Sequence, residues 1–478
     1  MYPEPAMFIG TDWRGANGQR SEPIVNPATE DVLGQMPLAD AADVEEAIAA
    51  AAKGQDIWSG THGWERAKVL RKVAERMDAR RAELAMTLTL EVGRPLAQSD
   101  AEVQGALEQF TWFAGEAERL FGETIPSRHS GTFFVTREPI GVVAAFTAWN
   151  FPIVLPARKI APALAAGCAI ILRPSEQTPS TARILVECCL EAGVPPEAIQ
   201  LVTGNPDDVS SAIMASPVVR KISLTGSTRV GKLLMAQAAE TMKRCSMELG
   251  GHSPVIVCDD VDAEKVAEVC GQSKFRNAGQ VCISPSRFYV HEKVAPAFKR
   301  AFVDVAESLN LGDGRDPDVT MGPLTTRRQL DRVESWSSET EASGVTVLTG
   351  GRRPSSLNAG YFFEPTVFED VPDDARIMRE EPFGPLAPIN TFSDLDDAIA
   401  KANDTEYGLA AYAFTRDLGR AHHLSSALRA GTVGINTFTL AQAEVPFGGI
   451  DYSGMGREGG THAIDDYLNV KTSHIIAG

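Results

Sequence analysis

Ile140-Gly141-Val142-Val143-Ala144-Ala145-Phe146-Thr147 is a run without a single charged side chain. A strand wetted on one face alternates apolar and polar residues; one buried on both faces does not. The run therefore reads as a central strand of a parallel sheet. Residues 152–166 then read as helix, 169–172 as strand, 178–192 as helix, 200–203 as strand, a further helix, 221–225 as strand and 230–241 as helix. Such alternation builds a doubly wound α/β domain. Ligands of these sheets sit beyond the carboxyl ends of the strands. Asn150, Glu176 and Gly226 each fall just past a strand end.

Upstream, residues up to 37 hold short apolar segments broken by Gly and Asn, the pattern of a hairpin. Asp40 reads as the N-cap of a helix through residue 52. Ala67, Leu70, Val73, Ala74 and Met77 recur at helical spacing, so 64–90 reads as one amphipathic helix. Helix continues to about 121, interrupted at Pro95. Downstream, a second α/β alternation runs from about 254 to 436. Thr132-Phe133-Phe134-Val135-Thr136 and the tail 466–476 read as strands without an obvious sheet. Each needs a partner edge, either within the chain or on a second copy.

The chain has 478 residues, too many for one compact core, so two or three domains are expected. A net charge of −18 disfavours nucleic-acid and anionic-membrane partners, which require clustered Lys and Arg. The longest apolar run is too short to span a bilayer, and the first ten residues lack a basic signal-like region. Seven scattered cysteines without a Cys-x-x-Cys pair fit a reducing cytoplasm. Eight histidines without His-x-x-x-His spacing give no metal site.

The chemistry concentrates in five stretches: Thr147-Ala148-Trp149-Asn150-Phe151-Pro152, Leu224-Thr225-Gly226-Ser227-Thr228-Arg229-Val230-Gly231, Met247-Glu248-Leu249-Gly250-Gly251, Phe275-Arg276-Asn277-Ala278-Gly279-Gln280-Val281-Cys282 and Glu380-Glu381-Pro382-Phe383-Gly384-Pro385. In this order and spacing they resemble the aldehyde dehydrogenase superfamily. The resemblance continues through Pro446-Phe447-Gly448-Gly449 and Ser453-Gly454-Met455-Gly456-Arg457-Glu458. It implies a Rossmann-like cofactor domain (1–120 with 140–250), a catalytic domain (251–450) and a β bridging arm (121–139 with 460–478). A homodimer or homotetramer is implied as well.

Read alone, a lone cysteine is usually an inert hydrophobe, Asn150 a turn residue and Glu248 a solvated charge. The resemblance assigns Cys282 as the nucleophile that forms a thioester. Asn150 becomes the oxyanion donor and Glu248 the general base for water. Gly226-Ser227 opens a helix directly after a strand, which suits either a plain cap or a pyrophosphate. The resemblance makes it the phosphate site and adds Trp149, Lys159, Arg173, Ser175, Glu176, Gly231, Leu249, Glu381 and Phe383 as cofactor contacts. Glu176 can accept from a ribose diol and repels a 2′-phosphate, favouring NAD over NADP. Arg173 stands where the family usually has Lys and could favour the phosphate instead.

For the substrate, Phe151, Arg158, Arg276, Ile283, Phe447 and Ser453 line up with the family's aldehyde site. Arginines matching Arg158 and Arg276 clamp a carboxylate in succinate-semialdehyde dehydrogenases. A guanidinium fork is what a carboxylate asks for, although a rim arginine and a surface arginine are the plainer alternatives. The expectation is an NAD-dependent aldehyde dehydrogenase acting on a semialdehyde. Its rivals are the same chemistry on an uncharged or aromatic aldehyde, a non-catalytic cofactor-binding scaffold, and a thiol hydrolase, for which no histidine motif is present.

Overall fold

The run that opens the argument is strand Val142–Phe146, every residue of it buried. It lies inside an eight-stranded sheet in the computed structural model, which describes residues 2–15 and 20–476. Five parallel strands form the middle, in the spatial order Ile199–Leu201, Ile170–Arg173, Val142–Phe146, Val219–Thr225, Arg244–Glu248. The chain winds outward from Val142–Phe146 in one direction, then returns to add Val219–Thr225 on its other side. That reversal is a switch point, where crevices open at the strands' carboxyl ends. The turns after these two strands hold Trp149-Asn150 and Gly226-Ser227.

Two hairpins, not one, occupy the N-terminal region. Strands Ser21–Val25 and Val32–Pro37 pair with each other. Strands Met7–Ile9 and Asp12–Arg14 pair likewise and extend the large sheet, Phe8 lying opposite Leu201. Asp40 caps helix Ala41–Ser59 through a reciprocal capping box with Asp43; the helix runs seven residues beyond the expected end. The expected single helix over 64–90 is two, Gly63–Ala79 and Arg81–Val92. They break at Arg80, whose backbone is non-helical and whose guanidinium bonds Glu83 and Glu187.

A second sheet has seven strands. Six are parallel, in the order Thr366–Glu369, Leu386–Phe392, Pro285–His291, Ser253–Val257, Ala410–Phe414, Thr432–Ile435, with Thr346–Thr349 antiparallel at one edge. Each sheet organises its own buried cluster. One draws on residues 7–249 and 463–468, the other on 255–447. The two strands without an obvious sheet find each other. Thr132–Pro139 pairs along its length with Leu468–Ile475, and Glu123–Pro126 completes a three-stranded ribbon.

The expected arm boundary at 460 is too early. Ala463, Ile464, Tyr467 and Leu468 are buried in the first cluster. Strand Gly454–Met455 pairs with Met247–Glu248 at the edge of the first sheet. Hydrophobic burial thus holds the segment before Leu468 against the first core, and only the strand beyond it reaches outward.

Candidate active site

Glu248 ends the last parallel strand of the first sheet, and Ser253 begins a strand of the second. Cys282 immediately precedes strand Pro285–His291. The carboxyl ends of one sheet therefore face the amino ends of the other, with Cys282 at the seam. Its approach is forced: helix Ala263–Phe275 ends, and Asn277 and Ala278 take left-handed backbone angles, φ 49° and 52°. Such strain in non-glycine residues persists only when surrounding bonds fix it. Here Gln98 accepts from the Asn277 amide at 3.1 Å, Gln280 Nε2 donates to Asn277 O at 2.9 Å, and Thr325 N donates to Gln280 Oε1 at 2.9 Å.

Cys282 is half-buried and borders two hollows. One is a cleft of about 190 Å³ walled by Trp149, Asn150, Gly226, Ser227, Glu248, Leu249, Glu381 and Phe383, among others. Trp149 and Phe383 meet edge to face, centroids 5.5 Å apart. Ser227 caps helix Thr228–Ala239 by accepting from Val230 N. Glu381 accepts from Gly251 N at 3.1 Å. A methyl group at Gly250 would stand 2.6 Å from Glu381 Oε2, and one at Gly231 2.6 Å from Leu249 Cδ2. The glycines keep the wall flat and let these side chains close on it. A helix N-terminus, a flat wall and an inward carboxylate fit the phosphate and ribose of a dinucleotide.

The carboxylates here are unusual. Glu248 is buried, neither of its oxygens has a hydrogen-bond partner, and burial, helped by the charge of Glu458, pushes it up to about 7. Burial raises Glu381 to about 8. Cys282 is pushed well above the usual thiol range by burial and then by the neighbouring Glu248 charge. Asn150 Nδ2 donates to Gln280 O at 3.1 Å; its own carbonyl accepts from Asn277 Nδ2 at 3.2 Å. One amide hydrogen of Asn150 thus anchors it to the cysteine segment.

The second hollow is a cavity of about 360 Å³ bordered by Phe151, Leu155, Arg158, Arg276, Ile283 and Phe447 with Arg94, Glu102 and Ala441. Arg158 lies over the Phe447 ring at 4.8 Å and donates to Ala441 O at 2.8 Å; its Nε is buried without a partner. Arg276 lies over Phe151 at 5.6 Å. Among the described residues neither forms an ion pair.

Several expected contacts fall elsewhere. Ser453 is fully buried outside both hollows, because its hydroxyl donates to Gly250 O at 2.6 Å and accepts from Gly408 N at 3.0 Å. It locks the Glu248 turn and does not touch the cavity, whose wall carries Ala441 instead. Lys159 is also fully buried, its ammonium held by Thr225 at 2.8 Å and paired with Glu458; it does not face the cleft. Ser175 is buried and donates to Gln177. Arg173 spends its fork on Glu176 and on Gly204 O, at 3.1 and 3.0 Å. Glu176 borders a separate hollow beside Thr325 and Tyr361. Four residues escape the sequence patterns: Arg94 and Glu102 on the cavity, Glu458 beside Lys159, and Arg332, which borders the cleft and donates to Glu381 O at 2.6 Å. Glu458 was within a quoted motif, and Arg94 adjoins Pro95, which drew attention only as a helix break.

Two α/β units with a thiol at their seam, between a cleft holding buried carboxyls and a cavity holding guanidiniums, define an enzyme built around a nucleophilic cysteine. The family model described as "Aldehyde dehydrogenase family" matches residues 13–473, and the chain belongs to that family. It is 43% identical over 465 residues to the NADP(+)-dependent succinate-semialdehyde dehydrogenase GabD of Escherichia coli (strain K12), covering 97% of this chain and 96% of that protein. It is equally 43% identical to the 3-sulfolactaldehyde dehydrogenase of Pseudomonas putida, over 97% and 95%. The succinate-semialdehyde dehydrogenase structure from Burkholderia pseudomallei superposes with a TM-score of 0.97 at 41% identity, covering 100% of this chain and 98% of that one.

Proposed function

We propose that the protein oxidises an aldehyde bearing a terminal carboxylate, such as succinate semialdehyde, to the free acid, with NAD as preferred cofactor. The observation that carries this reading is the cavity beside Cys282, where Arg158 and Arg276 present guanidiniums without carboxylate partners. Arg158 is buried and buried charges are normally paired, so its guanidinium, together with that of the exposed Arg276 at the same cavity, asks for an anion.

Cys282 as thiolate attacks the aldehyde carbon. The Asn150 side-chain amide and the Cys282 N–H stabilise the resulting oxyanion. The bound nicotinamide supplies the hydride acceptor. Cys282 is left as a thioester, and Glu248 takes a proton from the water that hydrolyses it. A carboxyl near 7 suits both gaining and losing that proton. Glu381 and Ser227 hold the cofactor at its ribose and phosphate. Glu176, still about a third exposed beside Arg173, meets the other ribose and repels a 2′-phosphate. The ribbon ending in Leu468–Ile475 leaves an outer edge that suits pairing with a second copy, as in a homodimer or homotetramer.

Replacing Arg158 or Arg276 by Leu tests the substrate class. Loss of one partner of a partly buried anion costs about 2–4 kcal/mol. kcat/KM for succinate semialdehyde then falls roughly 30- to 1,000-fold, mainly through KM, while butanal is little affected. Equal losses on both substrates refute the clamp.

A further inference from the structure

The cavity wall holds a third guanidinium. Arg94, just before helix Leu96–Glu118, is buried and lies 5.1 Å over the same Phe151 ring that Arg276 covers from 5.6 Å. Unlike Arg158 and Arg276 it is matched by a carboxylate: its Nη2 pairs with Glu102, which borders the same cavity. Its Nε donates to Ser99 Oγ at 3.3 Å and its Nη1 to Asn150 O at 3.4 Å. The other Glu102 oxygen accepts from Ile153 N at 2.9 Å and Val154 N at 3.0 Å. Those two amides open helix Val154–Ala166, which carries Arg158.

Both Glu102 oxygens are thus engaged, and the carboxylate is fixed in place by a helix end as well as by Arg94. Two consequences follow for an anion in the cavity. Arg94 is unavailable as a partner, because recruiting it would strand Glu102. A second negative charge would also meet a fixed carboxylate across a poorly screened space.

We propose that Glu102 is a specificity-determining residue: by holding Arg94 in a closed pair, it confines the cavity to aldehydes that carry a single negative charge at the far end. This rests on the reading of Arg158 and Arg276 as an anion clamp. Freeing Arg94 converts a site for a monoanion into one that accepts a dianion.

The test compares succinate semialdehyde, butanal and glyceraldehyde 3-phosphate at pH 8, where a phosphate monoester with a second pKa of about 6 is doubly charged. Wild type, Glu102→Gln and the double variant Glu102→Gln/Arg94→Met are measured. Gln keeps a carbonyl oxygen for the two helix amides and removes the charge. In Glu102→Gln, kcat/KM for glyceraldehyde 3-phosphate should rise relative to butanal by about tenfold or more, the size expected for one added charge contact, through a lower KM. The double variant should lose that gain. A merely structural Glu102 lowers all three substrates alike, and an unchanged ratio overturns the proposal. Should Glu102→Gln fail to fold, wild type decides: oxidation of glyceraldehyde 3-phosphate as efficiently as succinate semialdehyde refutes it. Failure of the clamp itself shows separately, as equal losses on succinate semialdehyde and butanal in Arg158→Leu and Arg276→Leu.

Discussion

The two hollows that meet at Cys282 are built in opposite ways. The cleft is made chiefly from turns at strand ends, and its two acidic groups are carboxyls that burial lifts toward neutrality, Glu248 to about 7 and Glu381 to about 8. The cavity is made from two helices and from loops far apart in the chain, and its ionisable groups are guanidiniums laid on aromatic rings, with the single carboxylate of Glu102 tied to one of them. Carboxyls can shed their charge when desolvated, whereas guanidiniums retain it. The cleft is therefore suited to moving protons and the cavity to holding a permanent counter-charge.

Removing the group shared by both sides has the largest expected effect. Cys282→Ala should abolish turnover on every aldehyde while NAD still binds, as read by fluorescence titration; residual turnover beyond a trace would show that the thiol is not the nucleophile. Next comes the cleft alone. Glu248→Gln should lower steady-state turnover by about 10²- to 10⁴-fold and leave a pre-steady-state burst of NADH, since hydride leaves before water enters. The base acts ionised, so wild-type turnover should climb with pH up to about 7 and level off above it; the Gln variant should lose that step. Disappearance of the burst would assign Glu248 to thiol activation as well.

A smaller effect tests whether the separate hollow beside Glu176 reads the cofactor's other ribose. Glu176→Ser removes a carboxylate and releases Arg173, so kcat/KM with NADP should improve by about tenfold, or 1.4 kcal/mol. A wild type that already prefers NADP would reverse the assignment of this pair. The smallest effect separates scaffold from cavity. Ser453→Ala leaves Gly408 N without its acceptor, at a cost of about 1–3 kcal/mol. Thermal unfolding should shift downward with the KM for succinate semialdehyde unmoved; a raised KM would restore Ser453 to the substrate.

Local turn chemistry explains why the cleft was legible in the sequence. Asn150 and Gly226-Ser227 each follow an expected strand end, whereas Glu248, a solvated charge when read alone, was legible only through the family resemblance. The unbroken apolar run at 142–146 exposed the sheet itself. The cavity was only half legible. Arg94, Glu102, Arg276 and Ala441 converge from segments hundreds of residues apart, and no local pattern marks convergence. Ser453 was misread for the same reason: its hydroxyl serves two backbone groups, from Gly250 and Gly408, that only tertiary structure brings near. The break at Arg80 was invisible because helical spacing of apolar residues continues across it.

The short strand Gly454–Met455 has a consequence for the birth of the molecule. It completes the sheet that Glu248 belongs to, yet it leaves the ribosome roughly 200 residues later, a delay of roughly 10–40 s at about 5–20 residues per second. Throughout that interval the whole second sheet can emerge and fold, while the first still lacks its closing strand and the buried side chains of Ala463, Ile464, Tyr467 and Leu468. The nascent chain therefore carries an open hydrophobic edge for nearly half of its synthesis. Premature termination between about residue 447 and residue 454 yields a second sheet able to form and a first one unable to close, a product suited to chaperones and proteases rather than to catalysis.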